Sequence, residues 1–357
     1  MKNFLQITYY LKDYFRKNLA SSFVFLKQIS VILLISVFSL QANSQSPVPK
    51  TVKVAVAGTS LLWLNYFWAQ DNGYFKDAGI NVVPTMTKNG PMSAQAVLAS
   101  EADVGMGDFA RVFNLRSKGV DLVAFAVFNV GVEQTLVLSS ETAMGLSNSP
   151  SIDETVKAMK GKTIAISGPG TTNDVILRYL IKSRNQNPDQ YLNIVSLASS
   201  PALYTESFKN KSIDGLITTE PIISEVLQSG TSKMVFTTLR DMPPADKLPY
   251  IVAFSRRSFA EANRDALIAF NRALARASVD LRKAGYDGSK QIVKKYFPTV
   301  SEEAMRIAFT RMQWPAAPAL DRAIVKTTAD WQADVGLLPS KVPQSDQDKA
   351  FIVVPAN

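Results

Sequence analysis

The sequence predicts an α/β protein made of two similar lobes that are joined by two crossing segments. Three observations support this fold class: the length of the chain beyond its N-terminal segment, a strand-loop-helix pattern that occurs twice, and two β-rich runs between the repeats. Of the 357 residues, about 313 follow the first 44, which is more than one compact core usually holds.

The repeated pattern is a short apolar strand that ends in a glycine-containing loop and leads into a helix. The first loop glycine is Gly58 in one half and Gly168 in the other, 110 residues apart. Asp103 and Asp214, in the next strand-to-helix segment of each half, are 111 residues apart. Because two independent landmarks share one spacing, we expect two related lobes, each with a mainly parallel sheet.

Further strands complete each lobe in the prediction. They lie near residues 80–85 and 122–127 in the first lobe and 193–197 and 233–237 in the second. Gln134 to Ser139 and Tyr250 to Ser255 are the predicted crossing (hinge) strands. The first lobe would therefore span residues 51–135 and 250–357, and the second lobe residues 136–249.

After the second crossing the chain is predicted to be wholly helical, with helices marked by capping-box spacings and glycine stops. The predicted helices run from the pair Ser258/Glu261 to Gly285, from the pair Thr299/Glu302 to about Gln313, and from Asp321 to Val335. We expect this C-terminal part to return and pack on the first lobe.

The chain has no cysteine and no histidine. Disulfides, thiolate nucleophiles, cysteine-held metal clusters and a lipid-modified N-terminal cysteine are therefore excluded. Ser-His-Asp, Cys-His and His-metal enzymes are excluded as well. The composition thus favours binding over catalysis, and we predict no catalytic residue, no metal site and no cofactor.

Residues 1–44 are predicted to be a cleaved export signal. Basic residues precede the uncharged apolar run Ile29 to Leu40, a polar segment follows it, and small residues suit cleavage after Ala42 or Ser44. The long basic part leaves an uncleaved N-terminal anchor as the alternative. Without cysteine the protein cannot be a lipoprotein, so we expect a soluble, monomeric periplasmic protein.

The net charge of +9 falls to +5 beyond residue 44, because the first 44 residues carry five basic side chains and one acidic side chain. A mild excess of basic over acidic side chains, without clustered basic and aromatic residues, does not indicate a nucleic-acid-binding surface.

The loop from Gly168 to Thr172 is a candidate anion site. Ligands of open α/β sheets gather at the carboxyl ends of strands, where helix N-termini offer unpaired N–H groups. Gly170 would permit close approach, and Thr171 and Thr172 would add hydroxyl donors. An ordinary N-cap turn without a ligand is the alternative.

Thr59 and Ser60 take the equivalent place in the first lobe, and an aromatic helix follows them. Trp63, the aromatic residue nearest the loop, is predicted to reach the ligand. The aromatic residues 66–68 are interpreted as core.

Asp108 and Glu220 lie at corresponding strand ends, so both are candidates to face a cleft. They would either contact ligand, favouring a partner with N–H or ammonium groups, or only stabilise helix N-termini. A carboxylate-dependent exported hydrolase that uses this pair is an alternative function.

Several segments together resemble the substrate-binding proteins of ABC transporters of the nitrate/sulfonate/taurine and thiamine-precursor type. The segments are Gly73–Val82 (GYFKDAGINV), residues 159–165 (MKGKTIA) with 167–171 (SGPGT), and Asp214-Gly215 with Thr219-Glu220-Pro221. The resemblance covers nearly the whole chain beyond the export segment.

That resemblance implies a class II periplasmic binding protein fold that closes on a small molecule and presents it to a membrane permease. The family's ligand contacts map here onto Thr59, Ser60, Asp108, Phe109, Gly170, Thr171 and Thr172. Gly107-Asp108-Phe109 replaces the small hydroxyl residues of many members, and the first helix is unusually aromatic. These departures favour an aromatic or heterocyclic ligand with hydrogen-bond donors over nitrate or a simple alkanesulfonate.

The predicted function is therefore the capture of a small organic molecule, anionic, aromatic or heterocyclic, for an ABC importer. Related pyrimidine-synthesising enzymes use histidine and cysteine, which this chain lacks. A ligand-sensing module for a membrane receptor is a further alternative.

Overall fold

The structure is a computed structural model that describes residues 10, 12, 13, 16, 49–198, 200–315 and 320–355. The chain forms two units, Met1–Pro49 and Lys50–Asn357. In the first unit five residues are described and exposed; residues 10, 12, 13 and 16 are helical and Pro49 is not. The rest of the predicted export signal lies outside the described residues. Among the described residues, no helix is both long and apolar enough to cross a membrane.

The second unit contains two five-stranded sheets. The strands are β1 Lys50–Val56, β2 Ile80–Met86, β3 Val104–Asp108, β4 Leu122–Val127, β5 Thr135–Ser139, β6 Thr163–Ile166, β7 Asn193–Ser196, β8 Gly215–Thr218, β9 Ser232–Thr237 and β10 Ile251–Arg256. The strand order is β2-β1-β3-β10-β4 in the first sheet and β7-β6-β8-β5-β9 in the second. In each sheet four strands run in one direction, and the fifth, β10 in the first sheet and β5 in the second, runs antiparallel to both of its neighbours.

Helices follow most strands. They are α1 Leu64–Asp71, α2 Tyr74–Asp77, α3 Gly90–Leu98, α4 Phe109–Arg116, α5 Ile152–Ala158, α6 Thr172–Lys182, α7 Pro188–Tyr191, α8 Pro201–Lys209, α9 Ile222–Gln228, α10 Thr238–Asp241, α11 Arg257–Ala262, α12 Arg264–Tyr296, α13 Glu302–Arg311, α14 Arg322–Asp334 and α15 Gln344–Lys349. Two lobes of alternating strands and helices result, which confirms the predicted fold class.

The repeat seen in the sequence extends to single hydrogen bonds. The carboxylate of Asp103, before β3, accepts from the N–H of Lys53 in β1 at 2.9 Å. Asp214, before β8, accepts in the same way from Thr163 in β6 at 2.8 Å. Both aspartates therefore fix the register of a parallel strand pair, which is why their spacing matches that of the glycines.

Two segments connect the sheets, one from β4 to β5 and one from β9 to β10, and they hydrogen-bond to each other. Thr238 donates its N–H to the carbonyl of Gln134 at 3.0 Å, and Val132 donates to the carbonyl of Ala245 at 2.8 Å. β5 and β10 follow these connections directly, so both predicted crossing strands are strands in the structure, each at the end of a connection.

The C-terminal helices begin at other residues than the capping pairs predict. Ser258 lies inside α11, and the cap of α13 is Ser301, not Thr299. Gly285 interrupts α12 with a φ of 58° without ending it, since the helix resumes at once and continues to Tyr296.

The packing of the C-terminal helices also differs from the prediction, for one helix. α12 contacts α1 and α2 of the first lobe, and α14 and α15 contact α4, as expected. α13 packs against α9 of the second lobe instead. The serine that caps α13 explains this, because Ser301 donates through its N–H and hydroxyl to Glu225 of α9 at 2.8 and 2.7 Å.

The aromatic helix α1 is core, as expected for residues 66–68. Tyr66 is 1% exposed and packs on the rings of Phe75 and Phe270. Phe67 stacks on Tyr296 of α12 with ring centroids 3.9 Å apart. α1 therefore anchors the long C-terminal helix to the first lobe and holds the preceding loop in place.

Candidate ligand-binding site

A cavity of about 80 Å³ lies between the two lobes. Its walls come from the loop after β1, the start of α3 and the end of β3 on one side, and from the loops after β6 and β8 on the other. The two connecting segments contribute Gln134 and Tyr250. All these loops lie at carboxyl ends of strands, the position at which α/β sheets bind ligands.

Most of the predicted site residues line this cavity, namely Thr59, Ser60, Trp63, Asp108, Thr171, Thr172 and Glu220. Phe109 does not, because its ring turns inward as α4 begins and stacks on Phe113 with centroids 4.8 Å apart. Gly170 does not line it either and lies at the rim, where its carbonyl accepts from the Arg111 guanidinium. Their predicted contact with ligand is therefore not supported by their position.

The N-terminus of α6 is open towards the cavity. Thr171 is the N-cap, yet its side chain makes no capping hydrogen bond and donates instead to the carbonyl of Gly168 at 2.6 Å. Thr172 and Asn173, the first two helical residues, line the cavity. Unpaired first-turn N–H groups and the helix dipole favour an anion at this position.

The other two long helices that begin at the cavity are capped by their own side chains. Asn89 accepts from the N–H of Met92 in α3 at 3.1 Å, and Asp108 accepts from the N–H of Arg111 in α4 at 3.0 Å. These side chains occupy the positions that an anion would need. The α6 N-terminus is therefore the one of the three that no N-cap side chain closes, and Asp174 in its first turn is held by the N–H of Gly170 and by Arg178.

Arg111 joins the two lobes at the cavity rim. Its Nη2 donates to the carbonyl of Gly170 in the second lobe at 2.7 Å and lies 3.7 Å from the carboxylate of Asp108 in the first. Asn89 of the first lobe also lies close to the second lobe. If Gly168 carried a Cβ atom, that atom would lie 3.2 Å from the Nδ2 of Asn89. The lobes are thus in contact across the cleft in this conformation.

Glu220 is buried and holds the N-terminus of α9, as expected if it only stabilises a helix start. Its carboxylate accepts from the N–H and hydroxyl of Ser224 at 3.0 and 2.9 Å and from Arg311 at 2.6 Å. Asp108 likewise caps α4 and is paired with Arg111. Since both acids are engaged by donors, neither presents a free negative charge to the cavity, and repulsion of an anion is weakened.

A second carboxyl group, that of Glu133, lies behind Glu220 and was not singled out from the sequence. It accepts from the N–H of Glu220 at 3.3 Å. Burial, reinforced by the negative charge of Glu220, raises the pKa of Glu133 to about 8. Burial also raises the pKa of Glu220, although Arg311 opposes this. Glu133 is therefore largely protonated and uncharged at neutral pH.

Trp63 contributes an apolar surface. The indole is 5% exposed, and its Nε1 donates to the carbonyl of Gly58 at 3.1 Å. Its donor is already used within the loop, so the ring offers van der Waals contact to a ligand.

Sequence reasoning missed Gln134 and Tyr250 as cavity residues. Gln134 donates from Nε2 to the hydroxyl of Tyr250 at 2.6 Å, and both residues line the cavity together with Thr172. Both residues stand where a predicted crossing strand begins. A crossing strand that starts at the cleft necessarily places its first side chains in the cleft, and this signal was available from the sequence.

The fold is shared with solved structures that differ widely in sequence. A protein from Bordetella bronchiseptica RB50 matches with 21% identity and a TM-score of 0.72, over 85% of this chain and 94% of that chain. The alkanesulfonate-binding protein SsuA from Xanthomonas axonopodis pv. citri bound to MOPS matches with 15% identity and a TM-score of 0.66, over 86% and 99%. The periplasmic nitrate-binding protein NrtA from Synechocystis PCC 6803 matches with 16% identity and a TM-score of 0.66, over 85% and 86%.

No curated protein sequence matches the chain. The model of the NMT1-like family, however, matches residues 46–287, which include both sheets and the whole wall of the cavity. The chain belongs to the NMT1-like family.

Proposed function

We propose that this protein is the solute-binding component of an ABC importer, which captures a small molecule between its lobes and delivers it to a membrane permease. The observation that carries the proposal is the cavity at the carboxyl ends of the strands of both sheets. Its two walls belong to lobes joined by two hydrogen-bonded connections, an arrangement that can open and close around a ligand. Similarity to structures named as sulfonate- and nitrate-binding proteins supports the same role.

The ligand we propose is a small anion. The uncapped N-terminus of α6 supports an anionic group, and the cavity volume supports a small one. A volume of about 80 Å³ is near half of the roughly 150 Å³ that holds a benzene ring in a protein interior. The aromatic or heterocyclic ligand expected from the sequence is therefore not favoured in this conformation.

Binding without catalysis is the proposed activity. The two carboxylates that a hydrolase would use, Asp108 and Glu220, are held by Arg111 and Arg311 and by helix N–H groups. We further propose that the protein acts as a monomer in the periplasm after removal of residues 1–44.

A thermal-shift and calorimetric screen of the chain from residue 45 tests this function. Nitrate, alkanesulfonates, sulfamate, aromatic carboxylates and pyrimidines would be compared at equal concentration. A ligand at a concentration of 100 times its Kd stabilises the folded state by about 2.7 kcal/mol through mass action. Binding of a small anion, recovered unchanged, is the expected result, whereas consumption of the ligand would contradict a binding role.

The double substitution Thr171→Ala with Thr172→Ala tests the anion site. We expect the affinity for the anion to fall roughly tenfold, because two hydroxyls at the first turn of α6 are lost from the cavity wall. The matched control is Thr327→Ala, since the Thr327 hydroxyl bonds the carbonyl of Ala323 within an exposed stretch of α14. Unchanged affinity of the double variant would remove α6 from the site.

A further inference from the structure

The C-terminal part of the chain crosses between the lobes again, in addition to the two connections between the sheets. α12 ends on the first lobe, where Tyr296 stacks on Phe67 of α1 with ring centroids 3.9 Å apart. α13 packs mainly on α9 of the second lobe. The chain then returns to the first lobe, where Trp314 donates from Nε1 to the carbonyl of Leu61 at 2.9 Å. The chain order thus places α13 with one lobe, and its packing places it with the other.

Both ends of α13 are bonded to the second lobe. At its start the N–H and hydroxyl of Ser301 donate to Glu225 of α9 at 2.8 and 2.7 Å. At its end Arg311 donates to the carboxylate of Glu220 at 2.6 Å, and the Glu220 side chain is 0% exposed. Hydrogen bonds between charged partners are shorter and stronger than neutral ones. Because it is held at both ends, α13 forms one unit with α9.

The contact between α13 and α12 of the first lobe is weaker. Lys290 of α12 pairs with Glu302 of α13 at 2.8 Å, and Asp287 of α12 pairs with Arg306 of α13 at 2.7 Å. These four side chains are 38–68% exposed. Ion pairs so open to water contribute little, because water screens the charges and the side chains lose rotamer freedom.

An open cavity of about 440 Å³ lies between α12 and α13. The two helices meet there through the rings of Tyr286 and Phe309, which are edge to face with centroids 5.6 Å apart, and both rings line the cavity. Closely packed elements resist relative movement, because their side chains interdigitate. A gap between two helices reduces that resistance, so the boundary between α12 and α13 is suited to shear.

We infer that α13 moves with the second lobe when the cleft opens, and that the moving boundary runs between α12 and α13. The chain then bends at residues 297–301 and 312–315, on either side of α13. The inference rests on the proposed solute-binding function and adds a means of regulating it. Because α13 is bonded to Glu220 in the cavity wall, holding α13 against α12 would hold the cleft in its closed form.

Distances between spin labels test this movement. The chain has no cysteine, so labels attach only at introduced cysteines. Lys118 in the first lobe, Lys182 in the second lobe and Glu303 in α13 are exposed sites for them. Pairs of labels would be compared, by pulsed electron paramagnetic resonance, in the unliganded chain from residue 45 with and without Arg111→Met, which removes the bond to Gly170 across the cleft.

The pair at positions 118 and 182 should change its distance in Arg111→Met, and the pair at 118 and 303 should change with it. The pair at 182 and 303 should keep its distance, because α13 and the second lobe move together. A shift at 182 and 303 would overturn the inference, with or without shifts in the other pairs. No shift in any pair would overturn it as well.

A crosslink tests the regulatory consequence. In Arg111→Met, a short thiol-reactive linker between Lys290→Cys and Glu302→Cys should abolish the increase in the radius of gyration. The matched control joins Glu225→Cys to Ser301→Cys, within the unit of α9 and α13, and should leave the increase unchanged. The same variants without linker show that each folds and opens.

Opening that persists across the crosslink between α12 and α13, or opening that the control crosslink blocks, overturns the inference. Each of these outcomes leaves solute binding standing, because the ligand screen decides it independently. Solute binding fails only if no compound of that screen binds, whatever the labels show.

Discussion

At the scale of single residues, the chemistry of the site depends on which acids stay charged. Within the part of the chain that the structure describes, no arginine donates a hydrogen bond to Glu133, whereas Glu220 is bonded to Arg311. Burial raises the pKa of Glu133 to about 8 from its ordinary value of 4.5. Sequence inspection could not find this, because a glutamate in a polar segment, Glu133-Gln134, has the appearance of a surface residue.

Glu133 should make the folded state less stable as the pH rises. Its pKa is higher in the folded than in the unfolded protein, so its contribution is complete below about pH 4.5 and is lost as the pH rises through about 8. The free energy of unfolding of the wild type should fall relative to that of Glu133→Gln by at most about 1.4 kcal/mol per pH unit. Urea titrations between pH 5 and 9 measure the difference.

The control for this experiment is Glu141→Gln, because Glu141 is exposed. The free energy of unfolding of Glu141→Gln should change with pH in parallel with that of the wild type between pH 5 and 9. Parallel curves for Glu133→Gln and the wild type would show that Glu133 is ionised in the folded protein.

At the scale of elements, α13 joins the C-terminal helices to the second lobe. Its cap Ser301 bonds Glu225 of α9, and its last residue Arg311 bonds Glu220 at 2.6 Å. The chain then returns to the first lobe, where Trp314 donates from Nε1 to the carbonyl of Leu61 at 2.9 Å. The prediction placed α13 on the first lobe. Its amphipathic pattern shows that one face of the helix is buried, but it does not show which lobe covers that face.

Removal of the Arg311 guanidinium should destabilise the protein. Arg311→Met leaves Glu220, whose side chain is 0% exposed, without its cationic partner. Loss of one partner of a buried pair costs about 3–5 kcal/mol, and the lower end applies because the Arg311 side chain is 34% exposed to water. Urea unfolding at pH 7 should therefore show a loss of about 3 kcal/mol.

Arg184→Met is the matched control, since Arg184 pairs with the exposed Asp153 on the surface of the second lobe. A surface pair of this kind contributes up to about 1 kcal/mol. If Arg311→Met lowered the free energy of unfolding no more than Arg184→Met does, the ion pair between Arg311 and Glu220 would not contribute to the stability of the protein.

At the scale of the whole molecule, closure depends on contacts between lobes that are linked by two connections. Arg111 supplies one such contact through the carbonyl of Gly170 at 2.7 Å. Under the proposed solute-binding function, a bond that forms only when the lobes meet stabilises the closed form over the open one, and ligand affinity then rises with the population of the closed form.

Arg111→Met should shift the protein towards the open form. We expect the Kd for the ligand to rise about five- to tenfold and the unliganded radius of gyration from small-angle X-ray scattering to increase. Arg184→Met again serves as control, because its ion pair lies within one lobe. A variant that binds as tightly as the wild type and scatters identically would exclude a role of Arg111 in closure.

The two-lobed α/β architecture was predictable from the sequence, because hydrophobic periodicity and loop glycines are local signals and their spacing repeats. It also placed Thr59, Ser60 and Thr171 at strand ends, where the parallel strands of one sheet bring their loops to a common edge. Phe109 was misplaced, since the direction of a side chain at a helix start is set by packing against Phe113.

Tertiary structure alone decided which groups meet across the cleft. Glu133, Glu220 and Arg311 are separated by up to 178 residues in the chain, and so are not linked by any local pattern. Gln134 and Tyr250, which are 116 residues apart in the chain, meet in the cavity wall through a hydrogen bond of 2.6 Å. Charge state and hydrogen-bond partners depend on neighbours that folding brings together, and no local pattern in the sequence contains them.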